Sequence, residues 1–302
     1  MANTYYSQEY PLGTPSVSGN SYTVDLMLKE PTRINAYVSN VALYGYFAER
    51  IFNNGGGVSG GALLYTQLTK NDLFPSRRAQ TVSPGAEIPE VTFDRPAPKT
   101  AQVEKIGGRF PVTYEARDRN DLSAVQNEGT KLGNDIRDQL HTRALAELDA
   151  NITAIGSDVQ VTGTSWADAA ALTLTTTANN LLPAADFAEL QKRAANQRLG
   201  TNFNLLIVNP QEAANFDIIY GGQGQSVLAR YGMEMIATPL VAAGTAYAVQ
   251  EGQVGQVRYE QPLMTTSYEE KSNERFWVQS TVRAVYAVTN PYNAVKLTGL
   301  AA

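Results

Sequence analysis

The chain has 302 residues, of which 43% are hydrophobic and 18% are charged, and its formal charge is −5 at pH 7. This composition is typical of a globular protein with one elaborated domain or two domains, and its acidity disfavours tight nucleic-acid binding. The chain contains no Cys and a single His, His141, which excludes thiol nucleophiles, disulfides, Cys-ligated zinc and multi-histidine metal sites.

The N-terminal third begins with a polar, Tyr-rich segment. Residues 1–35 show no helical periodicity and are predicted to form an extended arm. The apolar residues 36–52 predict a short helix, and the glycine-rich residues 53–61 predict a flexible loop. The apolar stretch at residues 233–249 is interrupted by Thr, Pro and Gly and is too short to span a bilayer, so no membrane contact is expected.

Proline dominates the next segment, with six of the 14 prolines lying between Pro75 and Pro111. Proline lacks a backbone donor and breaks helices, so this chain is expected to be extended. Polar and apolar residues alternate over 87–94 and 103–106, which predicts a long two-stranded excursion. An isolated hairpin is marginally stable in water, so we expect it to pack on a second subunit. Its predicted contact residues are Glu87, Ile88, Val91, Phe93, Val103, Ile106 and Arg109.

The clearest helix covers residues 120–154. Its apolar residues are spaced by three and four, or by sums of the two, and form one stripe. Asn120 or Asp121 could cap its start, and Ser123 with Gln126 offers an alternative capping box. Gly129 and Gly133 predict a bend or a close packing contact, and each Gly costs about 1 kcal/mol relative to Ala. The stripe comprises Leu122, Val125, Leu132, Ile136, Leu140, Ala144, Leu148 and Ile152.

The C-terminal half mixes helices and strands without a regular alternation, which indicates an α+β fold. A helix is predicted from Pro183 to a stop at Gly200, followed by a buried strand over 203–208 and a third helix capped by Asn209. The glycine-rich residues 221–225 predict a loop. Further strands are predicted within 233–261 and at 276–288 and 294–298.

Catalytic motifs are weak. Residues 57–61 match the G-x-S-x-G elbow around Ser59, but the elbow needs a strand before it and a helix after it, and a glycine run is expected to prevent that strand. His141 is the single possible histidine base and lies among charged residues. Glu269 and Glu270 would point to opposite faces of a strand. We therefore predict a non-enzymatic chain with no catalytic, cofactor-binding or metal site.

Several segments resemble the major capsid proteins of tailed double-stranded DNA bacteriophages, which share the Hong Kong 97-type fold, and in particular those of phages of actinobacteria. Singly these segments are weak motifs, but their order across about 270 residues carries the resemblance. The matching segments are Gly60–Tyr65, Ser83–Pro89, Gly107–Thr113, Glu115–Asp121, Pro239–Ala246, Asn290–Pro291 and Ala294–Gly299.

The resemblance implies a division into four parts. Residues 1–66 would form the N-terminal arm and a short helix, and residues 67–113 the extended loop, a β-hairpin. Residues 114–157 and 265–302 would form a peripheral domain built on the long spine helix. Residues 158–264 would form the axial domain around the capsomer centre.

The resemblance also implies a function and partners. The chain would assemble with itself into hexamers and pentamers that form an icosahedral shell around phage DNA, which it would contact weakly and without sequence specificity. Portal protein and scaffolding or decoration proteins are further implied partners, with any scaffold a separate protein. The expected location is the virion, after assembly in the host cytoplasm. The alternative is an encapsulin-like compartment, which shares the fold but encloses a cargo enzyme.

Overall fold

The computed structural model describes residues 24–29, 31–43, 47–69, 75, 79–91, 96–167 and 172–301. The helices within these ranges are α1 (Val24–Lys29), α2 (Thr32–Leu43), α3 (Ala48–Ile51), α4 (Tyr114–Asp118), α5 (Leu122–Ile155), α6 (Pro183–Gln197), α7 (Pro210–Tyr220) and α8 (Gly224–Arg230). The strands are β1 (Phe52–Gly57), β2 (Ala62–Thr66), β3 (Pro98–Gln102), β4 (Glu104–Thr113), β5 (Gln160–Thr162), β6 (Leu205–Val208), β7 (Glu234–Ala237), β8 (Thr245–Val249), β9 (Gly255–Glu270), β10 (Arg275–Ala287) and β11 (Ala294–Thr298).

The strands form two mixed sheets and one ribbon. The four-stranded sheet has the order β1-β9-β10-β4, with β1 parallel to β9 and the other pairs antiparallel. The five-stranded sheet has the order β5-β11-β8-β6-β7, in which β5–β11 and β6–β7 are parallel pairs. The ribbon is the antiparallel pair β2–β3. This architecture confirms the predicted α+β class.

Helix α5 has 34 residues and spans about 50 Å at 1.5 Å per residue. The predicted stripe is confirmed, because every member from Val125 to Ile152 is at most 9% exposed. Of the three capping candidates, Asp121 does the capping: its Oδ1 accepts the Ser123 backbone N–H at 3.1 Å. Asn120 instead lies in the left-handed region and accepts the Val24 backbone N–H at 2.8 Å.

The prediction of an extended arm is wrong for the part of it that the structure describes. Residues 24–29 form α1, and α2 begins at Thr32. Val24, Met27 and Leu28 are at most 3% exposed and join the main core, where α1 contacts α4, α2 and β9. Tertiary burial therefore outweighs the weak local helical pattern. Residues 1–23 lie outside the described residues.

The prediction of a loop at residues 53–61 is also wrong in part, because Phe52–Gly57 form β1. Phe52 pairs with Gly255 and Asn54 with Val257 in parallel register. A Cβ on Gly55 would lie 2.5 Å from Oε1 of Gln256, so a larger residue here would require the side chains of Gln256 and Arg258 to move. Pairing with β9, about 200 residues further along the chain, therefore stabilises β1, whose Gly- and Asn-rich sequence has low intrinsic strand propensity.

The five-stranded sheet is covered on both sides. Leu205 and Ile207 of β6 face the core around α5, whereas Leu206 and Val208 face a second core formed with α6, α7 and α8. Asn209 caps α7 as predicted, since its Oδ1 accepts the Gln211 N–H at 2.9 Å. The loop predicted from Gly221 is wrong: a 3₁₀ turn leads at once into α8, whose Leu228 is buried in the second core.

Candidate assembly surfaces

The ribbon leads into the proline-rich segment. Its register runs from Ala62 opposite Gln102 to Thr66 opposite Pro98. Because side chains alternate along a strand, Leu63 and Tyr65 pack on β10, while Leu64 points away and is 68% exposed. One face of the ribbon therefore rests on its own subunit and the other is open.

A polar network anchors the base of the ribbon. Nε2 of the buried Gln67 donates to Oδ1 of Asn151 on α5 at 2.8 Å, and Lys99 of β3 donates to Oε1 of Gln67. The Leu68 N–H donates to the carbonyl of Thr289 at 2.8 Å. These contacts hold the start of the excursion against α5 and the C-terminal region.

Residues 79–91 contain a turn but no strand. The Ala86 N–H donates to the Ser83 carbonyl at 3.0 Å, across Gly85 with its positive φ of 82°. The strand predicted over 87–94 is therefore wrong for residues 87–91, where Pro89 interrupts the backbone donors. Ile88 is 82% exposed, the largest value among the exposed large hydrophobic residues described. Glu87 and Glu90 are exposed on either side of it.

The predicted contact residues divide into two groups. Val103 packs beside the small core under the ribbon, and Ile106 packs against the main core. Both side chains are half-buried within their own chain: Ile106 lies on β4, which pairs with β10, and the Val103 N–H donates to the carbonyl of Gly61 at 2.9 Å. Their contact with a second subunit stays a prediction. Glu87 and Ile88 remain exposed, Val91 is half-buried, and Phe93 lies outside the described residues.

Arg109 belongs to a different surface, the solvent-facing side of β4, β10 and β9, called here the outer face. Its Nη1 donates to the Tyr268 hydroxyl at 2.6 Å, and its guanidinium lies 4.2 Å from the ring centroid of Trp277. The guanidinium of Arg275 lies 4.4 Å from the same ring. Stacked aromatic and guanidinium groups of this kind are common in protein interfaces.

Charge on the outer face is predominantly positive. Arg275 and Trp277 both donate to Oε2 of Glu270, at 2.7 and 2.6 Å. These hydrogen bonds, that from Arg275 first, lower the pKa of Glu270 to about 2. The strand register places five basic and two acidic side chains on this face, so its formal charge is +3. They are Lys105, Arg109, Arg258, Arg275, Arg283, Glu260 and Glu270.

A shallow groove crosses the outer face at Gly107. A Cβ on Gly107 would lie 2.6 Å from the carbonyl oxygen of Ser280 and 2.7 Å from Cγ2 of Thr281. Lys105 and Arg109, which flank Gly107 along β4, both line the groove. Glycine thus keeps open a polar depression between two cationic side chains.

The two glycines of α5 lie under α2. A Cβ on Gly129 would lie 3.3 Å from the ring of Tyr37, and a Cβ on Gly133 would lie 2.8 Å from Cγ1 of Val41. The sequence left two interpretations of these glycines open, a bend and a close packing contact, and the structure shows the close packing contact. A bend at these residues stays a prediction.

The hydrolase motif does not form an elbow. A strand does precede Ser59, contrary to the expectation, but β2 rather than a helix follows it. His141 is 5% exposed, and its Nε2 accepts the Phe47 N–H at 3.2 Å. The only histidine is therefore engaged within the core. Within the described ranges, no group of three or more Asp, Glu or His residues could hold a metal ion, and no helix is long and apolar enough to cross a membrane.

Comparisons with solved structures identify the fold. A virus-like particle protein from Pyrococcus furiosus superposes with a TM-score of 0.60 at 14% identity, covering 87% of this chain and 97% of that chain. The capsid of cyanophage P-SCSP1u superposes with a TM-score of 0.55 at 12% identity, covering 81% of this chain and 86% of that chain. A structure from Mycobacterium phage Bobi superposes with a TM-score of 0.55 at 13% identity, covering 83% of this chain and 89% of that chain.

Sequence comparison identifies the family. A search of curated proteins gave no significant match. The family model described as phage capsid protein matches residues 97–297, which is two thirds of the chain. This range covers β4, α5 and most of both sheets, including the outer face. The chain therefore belongs to the phage capsid protein family and is a major capsid protein with the Hong Kong 97-type fold.

Proposed function

We propose that this capsid protein assembles into hexamers and pentamers that close into an icosahedral shell around double-stranded phage DNA. In this proposal residues 79–91 of one subunit lie on the outer face of the next. The observation that carries it is Ile88, an 82% exposed hydrophobic residue in a chain segment that contains no strand. Single exposed apolar residues are common on protein surfaces, but burial of Ile88 on a neighbouring subunit would remove most of its apolar area from water.

Charge complementarity supports the choice of the outer face as the receiving surface. Residues 79–91 carry two negative charges, from Glu87 and Glu90, and no positive charge. Neither glutamate has an ion-pair partner among the residues that the structure describes. The outer face offers Lys105 and Arg109, which both line its groove. Opposite potentials on the two surfaces would set their register.

The magnitudes indicate how such a contact would act. Burial of Ile88 would contribute about 1.5–3 kcal/mol, and each exposed ion pair no more than about 1 kcal/mol. One contact is therefore weak, but every subunit of a closed ring makes the same contact, and closure multiplies it. Weak individual contacts allow misplaced subunits to dissociate during growth of the shell.

The family implies the remaining parts of the proposal. The division into arm, extended loop, peripheral domain and axial domain is carried over with the boundaries given above. DNA would be contacted weakly, consistent with the net charge of −5. A portal protein and scaffolding or decoration proteins would be its other partners, with assembly in the host cytoplasm and the virion as the final location. The chain would have no turnover of its own.

The experiment compares the full chain with Ile88→Ser by sedimentation velocity and negative-stain microscopy. Wild type should form closed shells, and Ile88→Ser should remain as monomers or open capsomers with an unchanged melting temperature. Ile218→Ser is the matched control, because Ile218 is 64% exposed on α7. It should assemble normally.

Charge exchange tests the receiving surface separately. Glu87→Arg and Arg109→Glu should each reduce shell yield, and the double variant should recover part of it. Equal yields from wild type and Ile88→Ser would overturn the role of the segment. A wild type that stays monomeric at all concentrations would overturn the shell itself. Shells containing a cargo enzyme instead of nucleic acid would favour the encapsulin-like alternative.

A further inference from the structure

The chain passes between the two sheets at a compact junction. Residues 250–254 connect β8 to β9, and residues 288–293 connect β10 to β11. These two connections are hydrogen-bonded to each other: the Gln250 N–H donates to the Asn293 carbonyl at 2.8 Å, and the Asn290 N–H donates to the Val254 carbonyl at 2.9 Å. These bonds join the two sheets at this junction, beside the core that they share.

Arg50 extends from one side of the junction to the other. It lies in α3, directly before β1 of the four-stranded sheet. Its Nη1 and Nη2 donate to the two carboxylate oxygens of Glu234 at 2.6 and 2.8 Å, and its Nε donates to Glu251 at 2.5 Å. Its carbonyl accepts the Gly252 N–H at 2.7 Å. Glu234 begins β7, the edge strand of the five-stranded sheet.

A third residue presents both carboxylates to the arginine. The carbonyl of Asn204 accepts the Glu234 N–H at 2.8 Å, and Oδ1 of Asn204 accepts the Glu251 N–H at 2.7 Å. Two acidic residues that are 17 positions apart in the sequence are thus held side by side. The planar guanidinium matches this arrangement, with a two-point contact to one carboxylate and a third bond to the other.

The contact is accessible to solvent. The side chains of Arg50, Glu234 and Glu251 are 30%, 61% and 39% exposed. Exposed ion pairs add little to the free energy of folding. Their directional hydrogen bonds nevertheless restrict the angle between the groups they join. We therefore expect this ion pair to affect the orientation of the groups that it joins more than the stability of the fold.

We propose that Arg50 is a positioning residue that fixes the angle between the four-stranded and five-stranded sheets. In the shell, this angle would determine the curvature at which neighbouring subunits meet. The second statement rests on the proposed function, whereas the first concerns the isolated subunit.

The angle can be measured by spin labelling, because the chain has no native Cys. Cysteines introduced at Lys131 on α5 and Lys192 on α6, whose side chains are 71% and 66% exposed, would carry the two labels. Double electron–electron resonance then reports the distance between the four-stranded side and the helices on the five-stranded sheet. Arg50→Gln should shift or broaden the distance distribution, and Arg50→Lys should give an intermediate result.

Arg275→Gln is the matched control. Arg275 and Glu270 are 31% and 30% exposed and form an ion pair within one sheet. This variant should retain the wild-type distribution. Identical distributions for Arg50→Gln and Arg275→Gln would overturn the proposal. If Arg50→Gln fails to fold, the label distances are measured in Glu234→Gln instead, because Glu234 is largely exposed and its replacement leaves no cavity.

Shell geometry provides the second measurement. Arg50→Gln shells should show a wider range of diameters by cryo-electron microscopy than wild-type shells. If the label distance changes but the shell diameters do not, the statement about curvature is overturned and the statement about the angle between the sheets stands. Wild-type chains that form no shell would contradict the proposed function, while the label distances would still decide the role of Arg50.

Discussion

Gly133 of α5 lies directly against Val41 of α2. A Cβ on Gly133 would lie 2.8 Å from Cγ1 of Val41, and 3.2 Å from the carbonyl oxygen of Val38. Distances this short require α2 to move, since one of the atoms belongs to the backbone. The glycine therefore permits two helices to pack more closely than any side chain would allow.

Gly133→Ala should destabilise the subunit, although Ala is the better helix former by about 1 kcal/mol. Overpacking costs about 1–3 kcal/mol and should exceed that gain. Gly129→Ala is the matched control, because its Cβ would lie 3.3 Å from the Tyr37 ring, which a small ring movement relieves. Urea unfolding measures both. A Gly133→Ala subunit as stable as wild type would contradict the packing explanation and favour a bend.

Stability should fall in mild acid because of His141. Burial, with a smaller effect of Arg137, lowers the pKa of His141 to about 4, whereas an unfolded histidine has a pKa of about 6.5. Between these values the unfolded chain binds a proton that the folded chain does not. The contribution of His141 to the free energy of unfolding is therefore complete above pH 6.5 and is lost as the pH falls toward 4. The loss between pH 7 and pH 5 is about 2 kcal/mol.

Urea unfolding of wild type and His141→Gln at pH 7 and pH 5 tests this. The variant should lose less stability than wild type over this interval. The comparison is clear because His141 is the only histidine in the sequence. Equal losses in the two proteins would mean that other groups cause the acid sensitivity.

Asp186→Ala should destabilise the region around α6. The buried carboxylate accepts hydrogen bonds from Trp166 Nε1 at 2.8 Å and from the Thr164 N–H and hydroxyl at 2.9 Å each. Its removal leaves three donors without an acceptor, at a cost of about 3 kcal/mol or more. Asp186→Asn retains one oxygen acceptor and should lose less. Thermal unfolding measures the difference, and a red shift of Trp fluorescence would report water reaching the fully buried Trp166.

Gln67→Leu should loosen the ribbon without unfolding the subunit. Gln67 connects Lys99 on β3 to Asn151 on α5, and leucine can form neither bond. Amide hydrogens of β2 and β3 should exchange faster, while those of α5 keep their wild-type rates. Gln102→Leu, at an exposed position of β3, should have no effect. Unchanged exchange in Gln67→Leu would show that apolar packing alone holds the ribbon.

Elements with strong local signals were predictable from the sequence. The α5 stripe repeats over eight turns, and α7 carries both an Asn cap and a Pro at its first position. The order of resembling segments indicated the fold, which the family match and the superpositions confirm. For the two helices the information lies within a short stretch of chain, and for the fold it lies in the order of the resembling segments.

Elements that depend on distant partners were not predictable. β1 is rich in Gly and Asn and is stabilised as a strand by β9, and α1 is stabilised as a helix by burial against α4, α2 and β9. The role of Gly133 depends on Val41 of another helix. Arg50, Glu234 and Glu251 are far apart in the sequence and individually unremarkable, so no local pattern could bring them together.

The pairing of early strands with late ones affects how the protein is made. β1 needs β9, and β4 needs β10, so neither edge of the four-stranded sheet is paired until the ribosome has synthesised residues 255–287. At about 5–20 residues per second, β10 follows β4 after roughly ten to thirty seconds. Such non-local pairing also slows folding. A nascent chain that lacks β9 and β10 therefore has no outer face, and in the proposed assembly a neighbour would recruit only subunits that contain both strands.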